Sequence, residues 1–141
     1  MKFINAKTAV IGGVVAASAL FANTAFAQDY QWTFQTSAQA GDNFFPIEEE
    51  WAERGGEMSG GRIEITVVPV GTVVAHNETL DAVGAGILQG HITDPSYFSG
   101  KDPAFAMLGN LVGAWSAPQQ MFNYMNYGGG HELFNELVNP Y

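Results

Sequence analysis

The sequence contains no cysteine and only five lysine and arginine residues among its 141 positions. The lack of cysteine excludes disulfide bonds, thiolate metal sites and cysteine nucleophiles. The 14 acidic residues give a net charge of -9, and so few basic residues cannot build the positive surface that DNA or RNA requires. The composition therefore excludes a nucleic-acid partner and fits one acidic domain.

Complete catalytic and metal-binding motifs are also lacking. His131-Glu132 begins like a zinc-peptidase helix, but Asn135 stands where that motif needs its second histidine. The glycines at 128–130 are not followed by the Lys-Ser/Thr ending of a phosphate loop, and no Gly-x-Ser-x-Gly elbow is present. His76 and His91 are interpreted as surface or hydrogen-bonded histidines rather than ligands. We therefore expect no enzyme, no catalytic residue and no metal ligand; a small exported hydrolase is the disfavoured alternative.

A long apolar run occurs only at the N-terminus. Two lysines precede the apolar and small residues of 9–20, and Ala25-Phe26-Ala27 fits the small-x-small cleavage rule. We predict a signal peptide over residues 1–27, cut before Gln28. A membrane anchor is the alternative, but the run is shorter than the ~20 residues of a spanning helix. Residues 28–141 then form an exported domain with only three basic side chains, Arg54, Arg62 and Lys101.

Strand and helix patterns alternate along residues 28–141. Period-2 alternation predicts strands over Tyr30–Thr36 and Arg62–Gly71, with a shorter one at Gly90–Asp94. We expect the second of these to be the central strand, and the third to pair beside it as the end of a βαβ unit. This order of elements is typical of a layered α/β domain.

Helical spacing links these strands. The first helix is predicted to begin near Asp42 or Asn43 and to tolerate Pro46 in its first turn. Its buried stripe is expected to consist of Phe44, Ile47, Trp51 and Met58. The pair Gly55-Gly56 inside it has no evident local reason, since each glycine costs roughly 1 kcal/mol relative to alanine. Further helices are predicted over 77–88, from Pro118 to the glycines at 128–130, and over 131–138.

Two loops follow the carboxyl ends of predicted strands. In an open α/β sheet such loops form the ligand crevice. Residues 35–42 follow the first strand, and residues 94–105, which are dense in aromatic, polar and turn-forming residues, follow the third. Both are candidate pocket walls; the alternatives are a solvated loop for the first and an aromatic-anchored structural loop for the second.

Several stretches carry a family resemblance. They are residues 57–65, Pro69-Val70-Gly71, Leu80-Asp81-Ala82-Val83, and Tyr97 to Phe105, which ends in Gly-Lys-Asp-Pro-Ala-Phe. Together they resemble the substrate-binding subunits of TRAP transporters, the DctP type, and most closely the branch that binds 2-oxo and 2-hydroxy monocarboxylates. The Gly-Lys-Asp-Pro-Ala-Phe run is the most specific piece, and Gly55-Gly56 departs from the usual pattern.

The resemblance implies a periplasmic-binding-protein-like α/β lobe with a mixed sheet flanked by helices, in a Gram-negative bacterium. It implies capture of a small organic acid, such as pyruvate, lactate or another 2-oxo acid, and delivery to the TRAP membrane permease. Family members are over twice this length. Their carboxylate-clamping arginine lies in a second lobe, largely missing here, so 28–141 is expected to be a partial N-terminal lobe that is incomplete for binding. The branch often binds a metal ion beside its substrate, but no ligand for one is assigned in this chain, and no other cofactor is expected.

Within this resemblance, Tyr97 is the first candidate for substrate binding, because its phenol can donate a hydrogen bond while its ring covers a ligand. Phe98 and Phe45 are expected to supply apolar walls, and Gln35 with Thr36 a polar edge. Lys101 is ambiguous, since the neighbouring Asp102 could pair with it at the surface.

The main alternative is an exported interaction module that self-associates, with a homodimer as its simplest form. Many aromatic residues in the last third of the sequence have no predicted partner surface, which favours this alternative. They are Trp115, Phe122, Tyr124, Tyr127, Phe134 and Tyr141.

Overall fold

The computed structural model describes residues 29–111 and 113–141. The predicted signal peptide, 1–27, lies outside the described residues. The strands are β1, Tyr30–Thr36; β2, Ile63–Val68; and β3, Gly90–Ile92. The helices are α1, Phe45–Met58; α2, Thr79–Gly84; α3, Ala104–Gly109; α4, Pro118–Tyr127; and α5, Gly130–Val138. Short 3-10 helices, His76–Glu78 and Pro95–Phe98, precede α2 and α3. No helix of the described part is long and apolar enough to cross a membrane.

The sheet has three strands in the order β2-β1-β3, and both pairings are parallel. The predicted α/β class, with a sheet flanked by helices, is confirmed; the antiparallel strand that makes a sheet mixed is not among the strands of 29–111 and 113–141. The predicted strand order was wrong, because β1 is central and β3 pairs with β1 rather than with β2. Alternation along a strand identifies its two faces but not its neighbours, so it could not distinguish the two orders.

The strand order places α1 and α2 on opposite faces of the sheet. The β1-to-β2 connection moves one way across the sheet, and the β2-to-β3 connection moves back past β1. Parallel crossovers are right-handed, so connections in opposite directions lie on opposite faces. The direction of winding therefore reverses between β1 and β3, at their carboxyl ends.

Helix α1 buries a different face from the predicted one. Its first turn contains a proline, Pro46, as expected, but its buried residues are Phe45 and Ala52. The predicted stripe is exposed along its length: Phe44 67%, Ile47 61%, Trp51 47% and Met58 88%. The stripe keeps one contact with the sheet, an edge-on approach of Trp51 to Phe34 with ring centroids 5.4 Å apart.

The two glycines of α1 explain this orientation. A Cβ at Gly55 would lie 2.9 Å from the Ile65 side chain, and one at Gly56 would lie 3.4 Å from the Ile63 carbonyl oxygen. Both neighbours belong to β2. Small residues allow the helix to approach the strand closely, so the face that carries Ala52 and the two glycines packs inward. Apart from Phe45 at its start, the burial of α1 follows from this close approach rather than from its large apolar residues.

The other helices keep their predicted positions with changed bounds. The predicted helix over 77–88 is a 3-10 turn, His76–Glu78, followed by the single short helix α2, and Gly86, with a φ of 72°, lies just past its end. Gly84 packs against the backbone of Tyr141. Helices α4 and α5 match their predicted ranges closely.

The buried core of the C-terminal half lies beside β3. It consists of Leu80 from α2, Phe98 and Phe105, with Leu137 and Val138 of α5 packed against it. Phe98 and Phe105 meet edge to face, with ring centroids 5.8 Å apart. This aromatic pair fixes the 3-10 helix Pro95–Phe98 to α3, and so determines where the loop after β3 lies.

Candidate functional site

The candidate site lies where the carboxyl ends of β1 and β3 meet. Thr36 is in register with Ile92, and the Ser37 amide donates to the Ile92 carbonyl at 2.9 Å. Ligands of open α/β sheets bind outside the carboxyl ends of the strands, at the point where the winding reverses. Both predicted loops, residues 35–42 and 94–105, begin at this edge.

Gln35, at the end of β1, is completely buried. Its amide oxygen accepts hydrogen bonds from the backbone amides of Val73 (2.8 Å) and Val74 (3.1 Å), and its Nε2 donates to the Val74 carbonyl at 2.8 Å. The side chain thus fastens the loop after β2 to the central strand. Both ends of the amide are already engaged.

Thr36 and Phe45 are also buried. The Thr36 hydroxyl accepts from the Ala38 amide at 3.1 Å and stabilises the turn that leaves β1. Phe45 begins α1 and faces the protein interior. Together with Gln35, these residues form the support beneath the predicted crevice.

Tyr97 and Phe98 point in different directions from one 3-10 helix. Asp94 caps that helix, accepting from the Ser96 amide at 2.8 Å through Oδ1. Phe98 is 3% exposed and belongs to the core, whereas Tyr97 is 55% exposed. On the other side, a Cβ at Gly109 of α3 would lie 2.7 Å from that Asp94 oxygen, so α3 packs directly on the cap. Tyr97 is therefore an exposed phenol on a firmly packed turn.

His76 lies directly against Tyr97. The two ring centroids are 4.3 Å apart, with the planes at 60°. Nε2 of His76 is 3.2 Å from the hydroxyl of Thr93, the residue that follows β3. This contact joins the turn before α2 to the loop after β3.

His91, on β3, is oriented by Thr79. The Thr79 hydroxyl donates to the His76 carbonyl at 3.1 Å, so its oxygen accepts from His91 Nδ1, 2.9 Å away. The His91 ring stacks on Phe98 with centroids 5.4 Å apart. Burial, and to a lesser degree the neighbouring His76, lowers the pKa of His91 below its ordinary value. The neutral form of His91 is therefore favoured relative to that of an exposed histidine.

Lys101 pairs with Asp81 of α2, its Nζ lying 2.6 and 2.7 Å from the two carboxylate oxygens. The expected alternative partner, Asp102, instead accepts from the Ala104 amide at 2.8 Å and starts α3. Arg54 pairs with Glu50 and Arg62 with Asp29. Every lysine and arginine within 29–111 and 113–141 is thus already in an ion pair. That part of the chain also contains no group of three or more His, Asp and Glu side chains that could hold a metal ion.

Two cavities lie next to these residues. The larger, of about 440 Å³, lies between α2, β3 and α5 and has mostly apolar walls; its polar side chains are those of His91, Thr93 and Tyr141. The smaller, of about 340 Å³, is lined in part by Tyr97, Lys101 and Asp81. A carboxylate needs polar partners when it leaves water, so the apolar cavity does not suit one.

Of the six predicted site residues, the structure brings Gln35 and Thr36 to the edge of the sheet as buried support. It leaves Tyr97 exposed there, places Phe98 and Phe45 in the interior, and pairs the sixth residue, Lys101, with Asp81. Sequence reasoning missed His76 and Thr93, which contact Tyr97 or join it to β3. The available signal was position: Thr93 lies near the carboxyl end of the predicted strand Gly90–Asp94, and His76 directly precedes a predicted helix.

The fold is an α/β lobe with a candidate site at the carboxyl edge of its parallel sheet. Comparison with known proteins makes the class specific: residues 34–137 match the model of the bacterial extracellular solute-binding protein, family 7, or DctP. The chain belongs to this family.

Individual relatives agree with the assignment. A monocarboxylate 2-oxoacid-binding periplasmic protein of Nostoc sp. is 34% identical over 100 residues, covering 71% of this chain and 27% of the relative. A TRAP periplasmic solute-binding protein of Rhodobacter sphaeroides, in an apo open structure, is 47% identical with a TM-score of 0.75, covering 78% of this chain and 35% of that one.

A third relative was solved with ligands. The TRAP periplasmic solute-binding protein of Pseudoalteromonas atlantica contains bound sodium and pyruvate; it is 27% identical with a TM-score of 0.66, covering 79% of this chain and 34% of that one. The chain thus spans about a third or less of the length of these relatives.

Proposed function

We propose that residues 28–141 form part of the N-terminal lobe of a TRAP-type solute-binding protein that captures a small organic acid and delivers it to a membrane permease. In this proposal the protein acts in the periplasm of a Gram-negative bacterium, after removal of residues 1–27, and carries out no covalent chemistry. The substrate class is a 2-oxo or 2-hydroxy monocarboxylate, which the Nostoc relative and the pyruvate-containing structure support.

One observation carries the proposal at the level of the site: Tyr97 presents an exposed phenol at the carboxyl edge of the sheet, on a turn held by Phe98 and α3. A phenol in this position donates to a ligand oxygen while its ring covers the ligand. Gln35, Thr36, Phe45 and Phe98 hold the wall in place. Phe98 acts by holding the turn that carries Tyr97, and Gln35 and Thr36 act by holding the backbone of the neighbouring loops.

Within the described residues, this lobe has no lysine or arginine outside an ion pair that could neutralise a carboxylate ligand. A carboxylate ligand is best matched by an arginine fork, and the basic side chains of the described part are all committed to ion pairs. We infer that the counter-charge comes from a second lobe, with or without a metal ion bound beside the substrate. Lys101 then serves to hold α2 against the loop that carries Tyr97.

The proposal is tested by titrating pyruvate and lactate calorimetrically into the full-length protein that carries this sequence. Tyr97→Phe removes one hydrogen bond and keeps the ring, so binding should weaken by about 1 to 2 kcal/mol. Tyr127→Phe, on the exposed face of α4, is the matched control and should bind as the parent does. An unchanged dissociation constant for Tyr97→Phe would remove Tyr97 from the site. No binding of any 2-oxo or 2-hydroxy acid by the parent would remove the proposed substrate class.

Self-association is the second candidate, favoured by the exposed apolar stripe of α1, Phe44, Ile47, Trp51 and Met58. Light scattering on the same full-length protein distinguishes the two. A monomer that binds acids supports transport, and a defined dimer without acid affinity supports the interaction module.

A further inference from the structure

We propose that His76 is a positioning residue for Tyr97, which holds the phenol in the orientation that meets the ligand. This inference rests on the proposed function, because it concerns the residue assigned there to ligand binding. The new element is that a side chain outside the loop, His76, restrains the Tyr97 ring.

Tyr97 needs such a partner because its own turn holds only its backbone. The 3-10 helix Pro95–Phe98 is fixed by the Asp94 cap and by the burial of Phe98. Neither contact restrains the Tyr97 ring, which is more than half exposed. Ordering a mobile ring when a ligand binds costs conformational entropy, and this cost weakens the binding of the ligand.

The contact from His76 supplies the restraint. Its ring packs on Tyr97 at 4.3 Å between centroids, and its Nε2 is tied to the Thr93 hydroxyl at 3.2 Å. His76 is itself fixed at its backbone, because its carbonyl accepts from the Thr79 hydroxyl. The Thr79 oxygen in turn accepts from His91 of β3.

The restraint therefore originates in the sheet. Thr93 directly follows β3 and His91 lies within it, so both polar links lead to β3, which pairs with β1, or to the residue after it. Because His76 contacts both Thr93 and Tyr97, the position of β3 determines where the Tyr97 side chain lies. Two parts of the interaction can be separated by mutation: the ring contact with Tyr97 and the polar link to Thr93.

The first measurement uses the full-length protein without ligand. Aromatic 1H–13C spectra report the Tyr97 ring, whose signals carry the ring-current shift of the imidazole. His76→Ala should move these signals toward values for a free tyrosine, while His76→Phe should retain a ring-current shift. His131→Ala, an exposed histidine on α5, is the matched control and should leave the Tyr97 signals unchanged. Tyr97 signals that do not move in His76→Ala would overturn the proposal, whatever the protein binds.

The second measurement is the dissociation constant for pyruvate in the same variants. His76→Ala should raise it about three- to tenfold, the range expected for one side chain that must be ordered on binding. His76→Phe and Thr93→Val both keep an aromatic ring against Tyr97 and both lose the polar link, so both should fall between the parent and His76→Ala. If His76→Phe binds as poorly as His76→Ala while Thr93→Val binds as the parent does, the imidazole itself contacts the ligand and the positioning role is wrong.

The two measurements separate the inference from the function beneath it. Altered Tyr97 signals in His76→Ala would support the ring contact. If binding were nevertheless unchanged in both His76→Ala and Tyr97→Phe, Tyr97 would lie outside the site, and the role of the ring contact in binding would be overturned. Thermal unfolding of each variant identifies loss of fold. If His76→Ala does not fold, Thr93→Val decides the question, and its Tyr97 signals must move for the proposal to hold.

Discussion

Gln35 and Tyr97 lie at the same edge of the sheet but have opposite environments. Gln35 is the second-last residue of the central strand, with its side chain 0% exposed and bonded to Val73 and Val74, whereas Tyr97 follows β3 with 55% of its surface exposed. Both residue types are suited to ligand binding. The difference is whether the polar group is already used by the fold.

Residues that stabilise the fold can thus be distinguished from residues that can contact a ligand. A buried amide whose oxygen and nitrogen both have partners stabilises the loop it binds, and removing it leaves those partners unsatisfied. An exposed phenol on a rigid turn costs the fold little to change and is free to meet a ligand. We therefore expect mutations on the support side to affect stability, and mutations on the contact side to affect binding.

The largest effect is expected at Phe105, which anchors the turn behind Tyr97. Phe105 is 1% exposed and packs on Phe98, so Phe105→Ala leaves a cavity in the core and should lower the free energy of unfolding by about 3 to 5 kcal/mol. Denaturant titration of the full chain measures this. Phe122→Ala, at an exposed position of α4, is the control. Equal effects of the two substitutions would mean that the turn is not anchored in the core.

A smaller loss of stability is expected from Gln35→Ala. It removes the partner of two backbone amides and one carbonyl in the loop after β2, which should cost about 1 to 3 kcal/mol in free energy of unfolding. Gln39→Ala, at an exposed position in the loop after β1, is the matched control. A variant at Gln35 that unfolds like the parent yet loses ligand affinity would reverse the comparison and return Gln35 to the ligand site.

The smallest effect is a pH dependence that comes from His91. Burial lowers its pKa in the folded state below the ordinary value of 6.5, so the unfolded chain binds more protons between those two pKa values. The contribution of His91 to stability is therefore complete above the unfolded pKa. It declines as the pH falls from 6.5 to the folded pKa.

Unfolding of the parent and of His91→Gln, measured between about pH 8 and about pH 5, tests this sign. The stability of the parent relative to the variant should decrease as the pH is lowered. His131→Gln is the control for loss of one imidazole. A difference that grows toward low pH would show that His91 gains a proton on folding, contrary to its burial against Phe98.

Local sequence was sufficient for the class of fold and for the location of the candidate site. Alternation over Tyr30–Thr36 predicts β1, and Pro118 with the glycines at 128–130 delimits α4. The loops after β1 and β3 follow from the same strand assignments. Each of these features depends on residues that are neighbours in sequence, so a single sequence contains the needed information.

Tertiary structure alone decided the strand order, the buried face of α1 and the division between support and contact. Gln35 binds a loop 38 and 39 residues away, and Gly55 is required by Ile65 of the next strand. His76 acquires its importance from Thr93 and Tyr97, which are distant in sequence. Periodicity identifies which side of an element is apolar, but a hydrogen bond or a close packing contact depends on which element arrives opposite it, and that is determined only when the chain folds.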